Sequence, residues 1–253
     1  MGITTFPTEY NHSYILTAGE SNASGRMPLT LVTERVIEVS TEHANALGIG
    51  YSALITKNMG WVLSRLSIEM NRYPVINEHY TLTTWIESYN RHFSERNLVM
   101  TAPDGTVFGY MRTVWVAMDF ATRTMADLTA FEKEAFPTAD LECPIATTPR
   151  MTPLGPDAVE ESYTFRYCDI DFNRHVNTVR YLALILNHWS LDHYDRNIVH
   201  RLDLMFRKES HYGEKVLLRI EGSDSARSAC EIVRDGERLI DARIEWNKNQ
   251  LTL

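Results

Sequence analysis

The stretch DIDFNRHVNTVRYL, Asp169 to Leu182, sets Asp169, Asp171, Asn173, His175 and Asn177 on every second position and then turns into an apolar run. In an extended segment such an alternation puts the side chains on one side. Carboxylate, carboxamide and imidazole groups gathered there can hold and deprotonate a water and polarise a carbonyl. The run that follows reads as a helix, and free N–H groups at a helix start suit a developing oxyanion. The plain alternative is a polar turn in which Asn177 or Thr178 caps that helix. A cap accounts for one residue and leaves Asp171, Asn173 and His175 unexplained. Residue chemistry alone keeps both readings open.

Other chemistries fit less well. Asp169, Asp171 and Asn173 open like a calcium loop, but Arg174 stands where that loop needs glycine and Arg180 where it needs glutamate. The run GIGYSA, Gly48 to Ala53, mimics a dinucleotide fingerprint, yet it closes a helical pattern instead of following a strand. Its glycines read as a helix C-terminal cap. No GxSxG, HExxH or Walker sequence is present. A second candidate lies in FRKESHYG, Phe206 to Gly213. Along this expected strand Leu202, Leu204 and Phe206 share one face, and Asp203, Met205, Arg207 and Glu209 the other. Glu209 is a solvated edge residue unless the strand packs beside the loop carrying His175; there it becomes a base. His79, His92 and His193 have no such company and read as surface or packing residues.

The elements that must position these groups come in one order, written twice. In the first half PLTLVTERVIEVSTEHANALGIG is helical, with Leu31, Val36, Ala44 and Leu47 at roughly helical spacing. Strand-like runs follow, and Asp104-Gly105 marks a type I′ hairpin between two of them. In the second half ESYTFRY reads as a strand, and TVRYLALILNHW as a helix with Val179, Leu182, Ile185 and Trp189 on one face. Four strand-like runs come next, with Asp235-Gly236 as the last hairpin signal. In the final run Ile240, Ala242, Ile244 and Trp246 oppose Asp241, Arg243 and Glu245, which predicts one solvated face. Between the halves, a segment with five of the nine prolines reads as an extended linker. The expected organisation is residues 1–136, a linker at 137–160, and residues 161–253. Helix then antiparallel strands, twice, gives an α+β class with two sheets, each wrapped on a helix.

Composition narrows the function. A net charge of −8 argues against a nucleic-acid binder, and an acidic partner would need a local basic patch. No apolar run reaches the ~18 residues that a membrane span requires. The N-terminus lacks a signal-peptide pattern, and Phe6 speaks against myristoylation at Gly2. Cys143, Cys168 and Cys230 are scattered thiols without a CxxC pair, which suits a reducing cytoplasm and argues against a zinc site. Cytoplasmic location is the expectation.

DIDFNRHVNTVRYL with the later DLMFRKES resembles the acyl-acyl-carrier-protein thioesterases of plants and bacteria, which carry D-x-N-x-H-V-N-N-x-x-Y and a downstream Y-R-R-E-C. NMGWVLSRLSIEMNRYP, TWIE and RTVWVAMDFATRTMADL resemble that family's N-terminal signatures, in its order. The resemblance implies a tandem hotdog fold and hydrolysis of the thioester between a fatty acid and acyl carrier protein. Asp171, Asn173 and His175 match the family's D-x-N-x-H, Glu209 its E, and Asn177 the first Asn of its pair. Thr178 replaces the second Asn, and Ser210 stands where the plant proteins have Cys. A cysteine nucleophile therefore cannot operate here unchanged.

The expected mechanism makes Glu209 the general base on water, or less favourably a direct nucleophile. His175 and Asn173 place the water and polarise the carbonyl, and Asp171 orients them. A thiol leaving group with a pKa of about 8.5 departs without a strong acid, and no metal or organic cofactor is required. Asn177 is expected at the substrate. Arg174, Arg180, Arg207 and Lys208 are the expected basic patch for the carrier protein. Met59, Trp61, Leu63, Met70, Trp85, Met111 and Trp115 supply apolar material in the first half, which the resemblance makes the domain that sets chain-length preference. Most of it reads as core; Trp61 and Trp115 are the candidates for acyl contact. A homodimer is compatible with the sequence. Two alternatives stand: the same chemistry on acyl-coenzyme A, and a non-catalytic acyl-binding hotdog sensor.

Overall fold

The computed structural model describes residues 7–131 and 136–249; Gly2 and Phe6, on which the N-terminal expectations rest, lie outside them. The chain forms two compact units, residues 1–147 and 148–253. The first contains β1 (Glu9–Ile15), α1 (Leu29–Ala46), α2 (Tyr51–Ile55), β2 (Met59–Met70), β3 (His79–Tyr89), β4 (Phe93–Thr101), β5 (Val107–Asp119) and β6 (Thr124–Met125). The second contains β7 (Val159–Thr164), α3 (Thr178–Leu186), α4 (Leu191–Arg196), β8 (Asn197–Phe206), β9 (Lys215–Glu221), β10 (Arg227–Arg234) and β11 (Glu237–Lys248).

Strand order in the first unit is β1-β3-β4-β5-β2, and in the second β7-β9-β10-β11-β8. Counted within its own unit, each sheet runs first-third-fourth-fifth-second, all antiparallel. Each sheet wraps a helix. Helix α1 buries Leu29, Val32, Val36, Val39 and Ala44; α3 buries Val179, Tyr181, Leu182 and Ile185. The α3 face agrees with the periodicity, but the helix stops at Leu186, so Trp189 is buried from the connection that follows.

Three local expectations are corrected. At Asp104-Gly105 only the glycine has a positive φ, +85°, whereas type I′ needs two such residues. The loop instead closes through the Gly105 N–H to Ala102 O and the Ala102 N–H to Thr106 O. Asp235 and Gly236, at φ +51° and +79°, do meet the type I′ requirement.

The polar face of β11 is solvated only in part: Arg243 and Glu245 are half-exposed, and Asp241 is not. Asp241 is buried, paired with Arg207 and, at 3.0 Å, with Arg238. On β10 the buried Glu231 meets Arg219 at 3.0 Å, and the Leu154 N–H donates to the same carboxylate at 2.8 Å. The proline-rich segment bonds β9 and β10 and supplies part of the Glu231 pairing.

Nor is that segment a free spacer. Ala139 N–H bonds Ile86 O, Trp85 Nε1 donates to Leu141 O, and Arg112 donates to Cys143 O and Ile145 O, all within the first unit. Gly155 N–H donates to Glu221 and Gly155 O accepts from Arg219, within the second. Val159 and Glu160 already belong to β7.

Candidate active site

The segment Asp169–Asn177 is a hairpin-like loop instead of an extended strand. Ile170 bridges Val176, the Asp171 N–H bonds His175 O at 2.8 Å, and Arg174 sits in the left-handed region at φ +64°. Alternation therefore does not align the polar side chains. Asp171 folds the loop: its Oδ1 accepts the N–H groups of Asn173 at 2.8 Å and His175 at 3.1 Å. Asp169 is buried and accepts from the Tyr163 hydroxyl and the Arg166 N–H. Both aspartates thus build the loop that presents Asn173 and His175.

Glu209 reaches His175 by a route the strand pattern did not show. Strand β8 ends at Phe206, and the irregular residues 207–210 carry Glu209 past it. The Val176 N–H then bonds Ser210 O at 2.8 Å, and His175 bridges His211. These contacts bring His175 Nε2 to 3.4 Å from Glu209 Oε2, with both side chains partly open to solvent. Asn173 is exposed on the same loop.

Asn177 is the N-cap of α3, its side chain accepting the Val179 N–H at 2.9 Å. The Arg180 and Tyr181 N–H groups bond Asn177 O. Of the amides of that first turn, Val179, Arg180 and Tyr181 are thus bonded to Asn177, which leaves the oxyanion expectation at most the Thr178 N–H. Ser210 is fully buried, and its hydroxyl has no hydrogen-bond partner. It points into the protein while Glu209 is half-exposed.

The expected basic patch divides. Arg207 is tied to Asp241 and Lys208 to Glu237. Arg174 and Arg180 are exposed and, among the described residues, form no ion pair. In the first unit Trp61 and Trp115 are half-buried, donating to Ile49 O at 2.8 Å and Thr113 Oγ1 at 2.9 Å. Met59, Leu63, Met70 and Met111 are core, and Trp85 packs with Cys143 and Ile145.

Residue reasoning missed His211. Its ring stands edge-on to His175 with centroids 5.0 Å apart, and its Nδ1 lies 3.4 Å from Glu214 Oε1. Glu214 pairs with Arg234, whose Nη1 also donates to Glu209 O at 3.2 Å. Burial raises the Glu214 pKa, but the Arg234 hydrogen bond, the His211 N–H and the charges of both side chains together outweigh it and hold the carboxyl below its usual range. The adjacency of His211 to Glu209 in FRKESH was the available signal. Among the described residues, no three of His, Cys, Asp and Glu converge as metal ligands do.

Two units with this strand order, each wrapped on a helix, define a double hotdog protein. The family model for the acyl-ACP thioesterase N-terminal domain matches residues 7–131, and that for the C-terminal domain residues 156–248. The chain belongs to the acyl-ACP thioesterase family.

A chloroplastic acyl-[acyl-carrier-protein] hydrolase of Cuphea viscosissima is 21% identical over 257 residues, 94% of this chain and 62% of that protein. The chain therefore spans less than two thirds of that relative's length. The solved acyl-ACP thioesterase from Bacteroides thetaiotaomicron superposes with a TM-score of 0.88 at 26% identity, over 95% of this chain and 98% of that one. The 12:0-ACP thioesterase from Umbellularia californica gives a TM-score of 0.83 at 18% identity, over 98% of this chain and all (100%) of that one, which shows the shared fold.

Proposed function

We propose that this protein hydrolyses the thioester of fatty acyl-acyl carrier protein, releasing free fatty acid. The observation that carries this reading is the His175–Glu209 pair, 3.4 Å apart, on loops that also present Asn173. Glu209 takes a proton from a water as its oxygen attacks the thioester carbon. The carbonyl π electrons move to oxygen, where Asn173, His175 and the Thr178 N–H stabilise the charge. Collapse breaks the C–S bond and the electron pair leaves with sulfur. The thiolate takes up the proton that Glu209 removed from water, which restores the base and completes addition of water across the bond. Asp171 contributes by fixing the loop, and Asn177 by starting α3. Trp61 and Trp115 are our candidates for contact with the acyl chain.

Membership of the family favours carrier protein over coenzyme A as the thiol, and the paired His175 and Glu209 favour turnover over a binding sensor. The test is a hydrolysis screen over acyl chain lengths on carrier protein and on coenzyme A in parallel. Free fatty acid and carrier thiol should appear without added metal, and chelator should not slow their release. Stoichiometric binding without turnover would replace this reading with the sensor. Turnover restricted to coenzyme A thioesters would change the substrate.

A further inference from the structure

The most exposed large apolar side chains among the described residues are Tyr167, Phe172 and Tyr212, at 84%, 77% and 70%. All three flank the His175–Glu209 pair. Tyr167 opens a short 3-10 turn, Phe172 lies in the Asp171–His175 loop, and Tyr212 follows His211. The segments that carry them are bonded together. Gly213 N–H donates to Phe165 O, Asn177 N–H to Asp169 O, and Val176 N–H to Ser210 O. Exposed aromatic rings held on cross-linked loops are unusual on a surface that only meets water, and common where a protein partner docks.

The charges on the same segments are sorted. Arg166, Arg174 and Arg180 are exposed and form no ion pair among the described residues. The carboxylates are engaged by near neighbours: Asp169 by Tyr163 and the Arg166 N–H, Asp171 by its own loop, Glu209 beside His175, and Glu214 by Arg234 and His211. On a chain of net charge −8, this rim faces outward with positive charge. Tyrosine and arginine together are also the residue types that dominate binding energy in protein interfaces.

We infer that Arg166, Arg174 and Arg180, with Tyr167, Phe172 and Tyr212, form the docking surface for the carrier-protein half of the substrate, an acidic protein presenting an apolar patch. This rests on the proposed hydrolysis for the identity of the partner. The arginines steer the acidic partner and account for salt dependence; the rings supply the apolar contact that holds it. The surface surrounds the catalytic pair, so a thioester tethered to the docked protein enters directly. Arg207 is set apart because the buried Asp241 already holds it, and Lys208 pairs with Glu237 at the surface.

The experiment measures two quantities on the full chain. One is the Kd for carrier protein bearing its phosphopantetheine but no acyl group. The other is kcat/KM for the same acyl group on carrier protein and on free pantetheine. The triple variant Arg166→Glu, Arg174→Glu, Arg180→Glu should weaken binding at least tenfold and flatten its dependence on salt. Tyr167→Ser with Tyr212→Ser should weaken it without changing the salt slope. In both, the loss on the carrier thioester should exceed the loss on acyl-pantetheine by tenfold or more.

Equal losses on the two thioesters, or unchanged carrier binding in both variants, would overturn the docking assignment. A wild-type protein that hydrolyses acyl-pantetheine yet does not bind carrier protein would overturn it and leave hydrolysis standing. Carrier binding that the variants weaken, without turnover of either thioester, would support docking and remove hydrolysis. Concentration-dependent self-association lost in the tyrosine variant would reassign the surface to a second copy of this chain.

Discussion

At the scale of single residues the two acceptors of FRKES separate cleanly. Glu209 is half-exposed beside His175, whereas the Ser210 hydroxyl is buried without a partner, as is that of Tyr181. Burial pushes Tyr181 up to about 12, so its phenol stays protonated and supplies no base to Ser210. Serine nucleophiles require a tightly held base and an orienting group, and Ser210 has neither. Glu209→Gln should lose about 10²-fold or more in turnover, with folding intact because the pair is partly solvated. Ser210→Ala should keep most activity and lose no stability, since it removes an unsatisfied buried hydroxyl. Turnover and folded fraction measured together decide: a folded but dead Ser210→Ala, or an acyl-Ser210 adduct found by mass spectrometry, would restore serine as nucleophile. Asp171, Asn173, His175 and Glu209 stood out as candidates by residue type and motif, and the structure brings His175 and Glu209 together. Their geometry was not legible, because period-two reasoning assumes a strand, and here Asp171 folds the chain back on itself.

At the scale of elements, what could be read from sequence followed from local periodicity, and what could not depended on distant partners. Helix α3 and the turn at Asp235-Gly236 are local signals, and both appear. The burial of Asp241 on β11 depends on Arg207 and Arg238, and that of Glu231 on β10 on Arg219 and a proline-rich segment far away in sequence. Asp241 looks like an outward residue until those partners are placed. The start of α3 is where element stability and the site meet. The Asn177 side chain satisfies the Val179 N–H, while its own N–H is bonded to Asp169 O. Loss of an N-cap side chain costs about 1 kcal/mol. Asn177→Ala should therefore lower the unfolding free energy by that amount, read as a lower urea midpoint at unchanged slope, whereas Asn177→Asp should retain the cap. Hydrogen exchange should locate the loss: faster exchange in the first turn of α3 is expected. Unchanged protection there would mean that tertiary packing alone sets the helix start.

At the scale of the molecule, the repeated strand order makes the two units alike in topology, yet their interiors differ. The helix-facing side of the first unit holds a buried guanidinium, Arg96, with no carboxylate partner among the described residues. Arg96 Nη1 donates to His43 Nδ1 at 2.6 Å and to Thr84 Oγ1 at 3.2 Å, and His43 Nε2 donates to Pro7 O at 3.0 Å. Both imidazole nitrogens are committed, so His43 must be neutral; a protonated ring would set two cations together in the core. Burial, and then the charge of Arg96, push His43 down to about 4. An unfolded chain binds that proton near pH 6.5. Between about 6.5 and 4 the unfolded state therefore holds more protons, so stability falls as pH drops through this window. The contribution is fully present above it. Linkage bounds the loss at about 3 kcal/mol. Unfolding free energies at pH 7, 5.5 and 4.5, with α1 and β4 followed by hydrogen exchange, should show this decline. In His43→Gln, whose amide oxygen can still accept from Arg96, the decline should be shallower by the His43 share. Equal slopes in the two proteins would mean that His43 does not set the acid limit of the first unit.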